Sequence, residues 1–309
     1  MEYALLQAVF LPLLLSPIAY IIGRKIGPTP AMWFTFGILL YTTVLVILAT
    51  LSGTTEEHYP WTEQFGEFGF LLDGLASPFA IMIYVLSTIL VLYSKPYMIH
   101  RFHEQYEEEQ HEITSSGHST ITESSSLSNY VNAKSGLYFA LYLVFAMGML
   151  GTVLSTNLIE FYVFFEIMLI PGFFLVALWG AGPRRKIGLM FLLWTHAGAV
   201  VLLLGFLMIG FTIGSFDFAD IQESKIPQDI LMLSAIAISI GLGVKLAVFM
   251  FHIWLPWVHG SAPTPISALL SPAMIGIGAY GIFRLIVEFL PNTFADLSIW
   301  FHIWGLVTM

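Results

Sequence analysis

The chain has 309 residues, 57% of them hydrophobic and only 10% charged, with a net charge of −9 and a mean hydropathy of +0.83. Soluble domains carry about 25% charged residues, so this composition excludes a soluble globule, and no basic stripe points to nucleic acid. The absence of cysteine removes disulfides, thiolate metal sites and Cys-held iron–sulfur clusters.

A helix needs about 20 apolar residues to cross roughly 30 Å of hydrocarbon. Eight full spans and a partial ninth meet or approach that length, near 4–23, 31–52, 70–93, 136–156, 157–180, 187–212, 230–258, 264–290 and 294–309. The first run, Ala4–Ile22, follows Glu2 and precedes Arg24 and Lys25, the reverse of a signal peptide's charge order, so it is expected to stay as a first span. Lipid-facing loops cannot persist over such lengths, because unpaired backbone groups find no water there. The predicted class is therefore an all-α polytopic membrane protein.

Basic residues orient it. With the N-terminus outside, the inner loops hold Arg24, Lys25, Lys95, Arg101, Lys134, Arg184, Arg185 and Lys186, eight of the eleven Lys and Arg. The outer loops are acidic: Glu56, Glu57, Glu63 and Glu67 in one, and Asp217, Asp220, Glu223 and Asp229 around Lys225 in another.

The expected organisation is a three-helix segment (1–100), a hydrophilic inner loop (101–132), a five-helix unit (133–290) and a ninth helix that begins at 291. The loop is rich in Glu, Ser and His and is expected to be mobile. Its His100, His103, His111 and His118 match no strong zinc spacing, and no metal is expected. Span seven, as one straight helix, would run about 43 Å. Gly241, Gly243 and Pro256 offer break points around its lysine. An interrupted helix near the midplane is a recurrent ion-site device; the alternative is a straight helix projecting inward.

Lys245 is the one full charge in Ile230–His252, and Glu166 is isolated in the same way in Phe161–Trp179. A charge in hydrocarbon costs roughly 2.5–3.5 kcal/mol on insertion scales. Both groups fall in the middle third of the membrane and are expected to meet. Burial and mutual attraction would then act on their protonation in opposite senses, which suits a gated proton relay; the other reading is a static pair joining two helices. His196, His252, His259 and Tyr280 are candidates to extend such a path, though each histidine alone is equally a packing residue. Arg284 and Glu288, four residues apart, read as a local structural pair. Glu160 is expected close to the surface on another face from Glu166. No Gly-rich phosphate loop, flavin or haem pattern occurs.

The stretch Asn157–Gly180, NLIEFYVFFEIMLIPGFFLVALWG, resembles the fifth-helix signature of the antiporter-like subunits of respiratory complex I, most of all the M-type chains of NADH-quinone oxidoreductase. Val244–Ser267, VKLAVFMFHIWLPWVHGSAPTPIS, resembles that family's seventh helix and following loop. Asp73–Leu75, Tyr93-Ser94 and Ala279–Arg284 also fit. The resemblance implies that Glu166 is the essential glutamate, that Lys245 is the half-channel lysine and that His252 and His259 lie on its inner side. It also implies that spans four to eight form one antiporter-like repeat with a broken seventh helix. The chain would be a proton-translocating membrane subunit in a prokaryotic plasma membrane, without its own cofactor. NADH or a similar donor, flavin, iron–sulfur clusters and quinone would reside on other subunits. Partners would be the lipid bilayer, other membrane subunits and the missing C-terminal half of the family fold.

Three departures stand out. Gly276 takes the place of the family's eighth-helix lysine or histidine, Trp257 replaces the acid after Trp-Leu-Pro, and the chain stops in span nine, where the resemblance implies about fourteen spans. A truncated sequence or split gene is expected. Two other functions stay open: a subunit of a multi-subunit Na+/H+ antiporter of the Mrp type, and a scaffold silenced by the loss at Gly276.

Overall fold

The computed structural model describes residues 3–62, 65–115 and 127–309. Helices α1 (Ala4–Lys25) and α2 (Pro28–Leu51) are followed by a hairpin of β1 (Thr55–Thr62) and β2 (Gly66–Leu72). Then come α3 (Ala76–Ser115), α4 (Leu127–Leu154), α5 (Leu158–Ile167), α6 (Leu169–Trp179), α7 (Arg184–Ile213) and the short α8 (Phe218–Glu223). The chain continues through α9 (Gln228–Leu246), α10 (Trp254–Ser261), α11 (Thr264–Leu269), α12 (Ile275–Gly281) and α13 (Pro291–Thr308). π-helical turns at Leu270–Met274 and Ile282–Glu288 join α11, α12 and their continuation into one span. Among the described residues, eight helical stretches are long and apolar enough to cross a membrane, and α13 adds a further apolar segment. The chain is an α-helical polytopic membrane protein.

Two elements differ from the sequence reading. Span three was expected from residue 70, but Gly66–Leu72 pairs with Thr55–Thr62 as an antiparallel hairpin, with Glu57 opposite Phe70 and His58 opposite Gly69. The helix waits until Ala76 because the Asp73 carboxylate accepts the N–H groups of Leu75 and Ala76 at 3.1 and 2.8 Å, a cap at an Asp-Gly turn. The expected hydrophilic loop is helical at both described ends. α3 carries His100, His103 and His111 through to Ser115, and α4 starts at Leu127; His118 lies outside the described residues. The extension is held because Arg101 donates to the carbonyls of Trp179 and Gly180, and Gln105 to that of Leu178. These contacts satisfy the last carbonyls of α6. Among the described residues no group of three or more His, Asp or Glu gathers in a metal-binding arrangement.

α4 is the central helix. From Phe145 to Leu154 every residue is buried, the pattern of a helix enclosed on all sides. Without a hydrophobic drive between helices in lipid, close packing needs small residues. Gly23 on α1 and Gly136 on α4 are in backbone contact, and a Cβ on either would run into the other helix's main chain. The hairpin closes the opposite end of α1, where Glu57 takes the N–H groups of Leu5 and Leu6, each at 2.9 Å. A carboxylate at a helix N-terminus complements the dipole. α7 and α9 use the same device: a Cβ on Gly198 would press on Val244, and one on Gly241 on Gly198 O and Leu202. Gly241 and Gly243 thus lie within a continuous helix and are not its break.

Gly136→Val should force α1 from α4 and cost about 1–3 kcal/mol by overpacking. A lowered thermal unfolding midpoint in detergent, against an unchanged midpoint for Gly37→Val, whose Cβ position is open, checks it.

Candidate functional site

α5 and α6 meet at Met168 because Pro171 lacks the N–H that the Ile167 carbonyl would accept. Glu166 sits at this interruption. One of its oxygens bonds His196 Nδ1 of α7 at 2.8 Å, while the other, Oε1, is buried without a hydrogen-bond partner among the described residues. The His196 side chain is 52% exposed and that of Glu166 21%, so the pair lies at the surface of this chain at membrane depth.

Lys245 occupies the last turn of α9 and is 1% exposed. Its Nζ has no hydrogen-bond partner among the described residues and rests over the Phe165 ring, 4.7 Å from the centroid. A cation over an aromatic face gains about 0.5–2 kcal/mol. The helix C-terminus also carries partial negative charge, which favours an ammonium there. The two groups expected to meet are not hydrogen-bonded to each other: the glutamate bonds His196, and the lysine sits on the ring of Phe165, the residue next to Glu166 in sequence.

The chain leaves helical geometry directly after the lysine. Ala247 and Met250 have φ of 56° and 75°, the left-handed region that L residues enter at a cost of roughly 1–2 kcal/mol. The break thus spans Ala247–Ile253, beyond the glycines and before Pro256, which lies in the first turn of α10. Irregular backbone inside a membrane must find partners within the protein. Three indoles provide them: Trp254 donates to Val244 O, Trp194 to Phe251 O and Trp304 to Phe249 O, each at 3.0 Å. Thr308 Oγ1 accepts from Phe249 N. The sequence reading assigned none of these tryptophans a role: only Trp254 lies near Lys245 in sequence, and Trp194 and Trp304 reach the break from more than fifty residues away.

The other candidates divide. His252 lies in the break, exposed and stacked on Phe249. His259 Nδ1 pairs with Ser267 Oγ at 2.7 Å. Gly276 has only Phe79 and Met82 near its missing Cβ, at ordinary contact distance, and Trp257 is exposed. Tyr280 does not join Glu166. Its hydroxyl donates to Val153 O at 2.6 Å and accepts from Arg284 Nε at 3.0 Å.

Arg284, 2% exposed, holds more than its local partner Glu288. Its two terminal nitrogens also bond both oxygens of Asp73, at 2.7 and 2.8 Å, a bidentate pair across 211 residues of sequence. Burial alone would raise the Asp73 carboxyl, but hydrogen bonds from Arg284 and the Ala76 N–H hold it below the usual aspartate value of 3.8. Glu160 lies in the first turn of α5 and is 1% exposed, because the hairpin covers that end of the helix.

Because the folded state lowers the Asp73 value, this pair adds stability above the ordinary aspartate range and loses it as pH falls through the lowered value. Asp73→Asn should therefore cost roughly 3 kcal/mol near neutral pH and flatten the acid limb of a stability–pH profile measured by thermal unfolding in detergent.

With this geometry in hand, known proteins provide a comparison. The family model described as "NADH:quinone oxidoreductase/Mrp antiporter, TM" matches residues 155–309. An NAD(P)H-quinone oxidoreductase chain 4 of Picosynechococcus sp. is 28% identical over 96% of this chain and 51% of its own length. A chain of respiratory complex I from Thermus thermophilus superposes with a TM-score of 0.73 at 19% identity, covering 96% of this chain and 56% of that one. A chain of the Mrp complex from Dietzia sp. gives 0.72 at 24%, covering 98% and 29%. The chain spans about half the length of the curated relatives it matches.

Proposed function

Since this chain belongs to the NADH:quinone oxidoreductase/Mrp antiporter family of membrane subunits, we propose that it carries protons within a complex I-like assembly whose redox chemistry lies on other subunits. The observation that carries the reading is the Glu166–His196 pair beside a buried, unbonded Lys245 at the end of a broken helix. A charge without a bonded partner is poor structural glue; it suits a group whose charge changes.

In this mechanism a proton reaches Glu166 through His196, whose imidazole bonds the carboxylate and is half exposed. Protonation removes the negative charge that acts on Lys245, so the charge state of the lysine follows the occupancy of the glutamate. The proton leaves Lys245 into the Ala247–Ile253 break, where His252 stands, and passes on toward His259 in α10. The partly exposed Glu166–His196 pair would be costly against lipid, which supports a neighbouring membrane subunit or the rest of the family fold covering this face. Spans four to eight serve as one antiporter-like repeat, oriented with the basic loops inside a prokaryotic plasma membrane. Electrons from NADH or a similar donor would pass through flavin and iron–sulfur centres to quinone elsewhere in the assembly. Gly276 leaves the lateral step without its lysine, so transfer beyond this half-path depends on other groups. Tyr280 is spoken for by Val153 and Arg284 and is assigned a structural part.

The Dietzia Mrp likeness, covering 98% of this chain, supports a second reading, sodium–proton exchange without redox coupling.

Glu166→Gln and Lys245→Ala should each abolish proton translocation by the assembled complex in proteoliposomes while redox turnover persists uncoupled. Pumping at the parental rate in both would sink the reading. Sodium-dependent proton flux from an assembly without flavin or quinone reductase activity would transfer it to the antiporter.

A further inference from the structure

Beyond that half-path, the hairpin side of the molecule contains a second constellation of acids. A cleft of about 500 Å³ opens between the hairpin, α8 and the end of the eighth span, and Glu56, His58, Glu67, Asp217 and Glu288 line it together with Thr156. His58 is held between two carboxylates, with Nε2 2.9 Å from Glu56 and Nδ1 3.1 Å from Glu67. Deeper in, Asp217 accepts from Asn157 Nδ2 at 2.6 Å, and burial raises its carboxyl above the usual range against that hydrogen bond.

The floor of this cleft is thin. Thr156 lines it, and the Thr156 N–H points to Glu160 Oε2 at 3.3 Å, as does that of Gly69 from β2. Glu160 is therefore directly beneath the floor and within electrostatic reach of Asp217. Its second oxygen, Oε1, is buried and has no hydrogen-bond partner among the described residues. Such an acid gains or loses a proton without breaking any hydrogen bond. Asn157 Oδ1 caps the first turn of α5 by accepting the Ile159 and Glu160 N–H groups at 2.8 and 3.4 Å, so the Glu160 carboxylate is left to the Thr156 and Gly69 N–H groups, which occupy only one of its oxygens.

Glu160 also shares its helix with Glu166. Six residues, roughly 9 Å of helical rise, separate them. Tyr162 stands one turn from Glu166 on the same face and is electrostatically coupled to it.

We propose that Glu160 is a proton-binding site that connects the acidic hairpin cleft to Glu166, giving the glutamate access to the outer face within this half of the fold. The proposal rests on the reading of Glu166 as a proton carrier. The species handled is the proton itself: it is delivered between Oε1 and the cleft carboxylates, and each group returns to its starting state after passing it on.

The test uses the complete complex in proteoliposomes and compares Glu160→Gln, Glu160→Asp and Glu166→Gln. Glutamine keeps the shape and still accepts the two backbone N–H groups but cannot ionise, whereas aspartate can. Expected is a loss of pumping by about tenfold or more in Glu160→Gln with redox turnover retained, and partial recovery in Glu160→Asp. Infrared difference spectra between acidic and alkaline buffer should also lose one protonated-carboxyl band in Glu160→Gln. Parental pumping or an unchanged infrared spectrum in Glu160→Gln, with Glu166→Gln inactive, overturns this proposal and leaves the role of Glu166 standing. If Glu160→Gln does not assemble, the infrared band is sought in Glu160→Asp, where an unshifted spectrum also overturns it. Normal pumping in Glu166→Gln overturns both.

Discussion

Backbone placed in hydrocarbon must be paired by the protein itself, and the organisation around Lys245 follows from that constraint. Ending α9 at Leu246 frees carbonyls in the middle of the bundle and requires donors near them. The indole N–H groups of Trp194, Trp254 and Trp304 reach in from three different helices and satisfy Phe251, Val244 and Phe249. An indole suits this position because it joins a large apolar ring to one donor. The break is thus a built feature, and it delivers the lysine to a helix end where the dipole favours its charge.

The same constraint separates the ionisable groups into two kinds. Asp73, Arg284, Glu288 and Tyr280 are mutually bonded and tie the eighth span to the caps of α3 and α4. Saturated in this way, they hold helices in place. Glu166, Lys245 and Glu160 each keep one buried atom unbonded. Leaving a buried polar atom unpaired costs about 1–3 kcal/mol; Thr35, Trp179 and Ser234 also keep such an atom, and what sets Glu166, Lys245 and Glu160 apart is that they are ionisable. The π-helical turns of the eighth span fall beside the first group: Ile282–Glu288 contains Arg284 itself, and its wider turn aims the guanidinium at Asp73 as well as at Glu288.

Much of the bundle was legible in the sequence because hydrocarbon burial is a local property: twenty apolar residues signal a span whatever they touch. The isolation of Glu166 and Lys245 was legible for the same reason. The hairpin was not, since Phe70, Leu71 and Leu72 are as apolar as the start of a helix, and the Asp73 cap that delays α3 was hidden in a short motif. The helical continuation of α3 past Arg101 was hidden too, because it depends on carbonyls of α6 that lie more than seventy residues away.

The sequence by itself determined that this is a membrane bundle of about eight crossings with two stranded charges at midplane depth, because transfer free energies act residue by residue. Only the tertiary structure decided who meets whom: His196 with Glu166, Phe165 beneath Lys245, Asp73 with Arg284, and Glu160 under the hairpin. Those pairings depend on the rotation and close approach of helices that small residues such as Gly136 and Gly198 permit, and hydropathy carries no information about rotation.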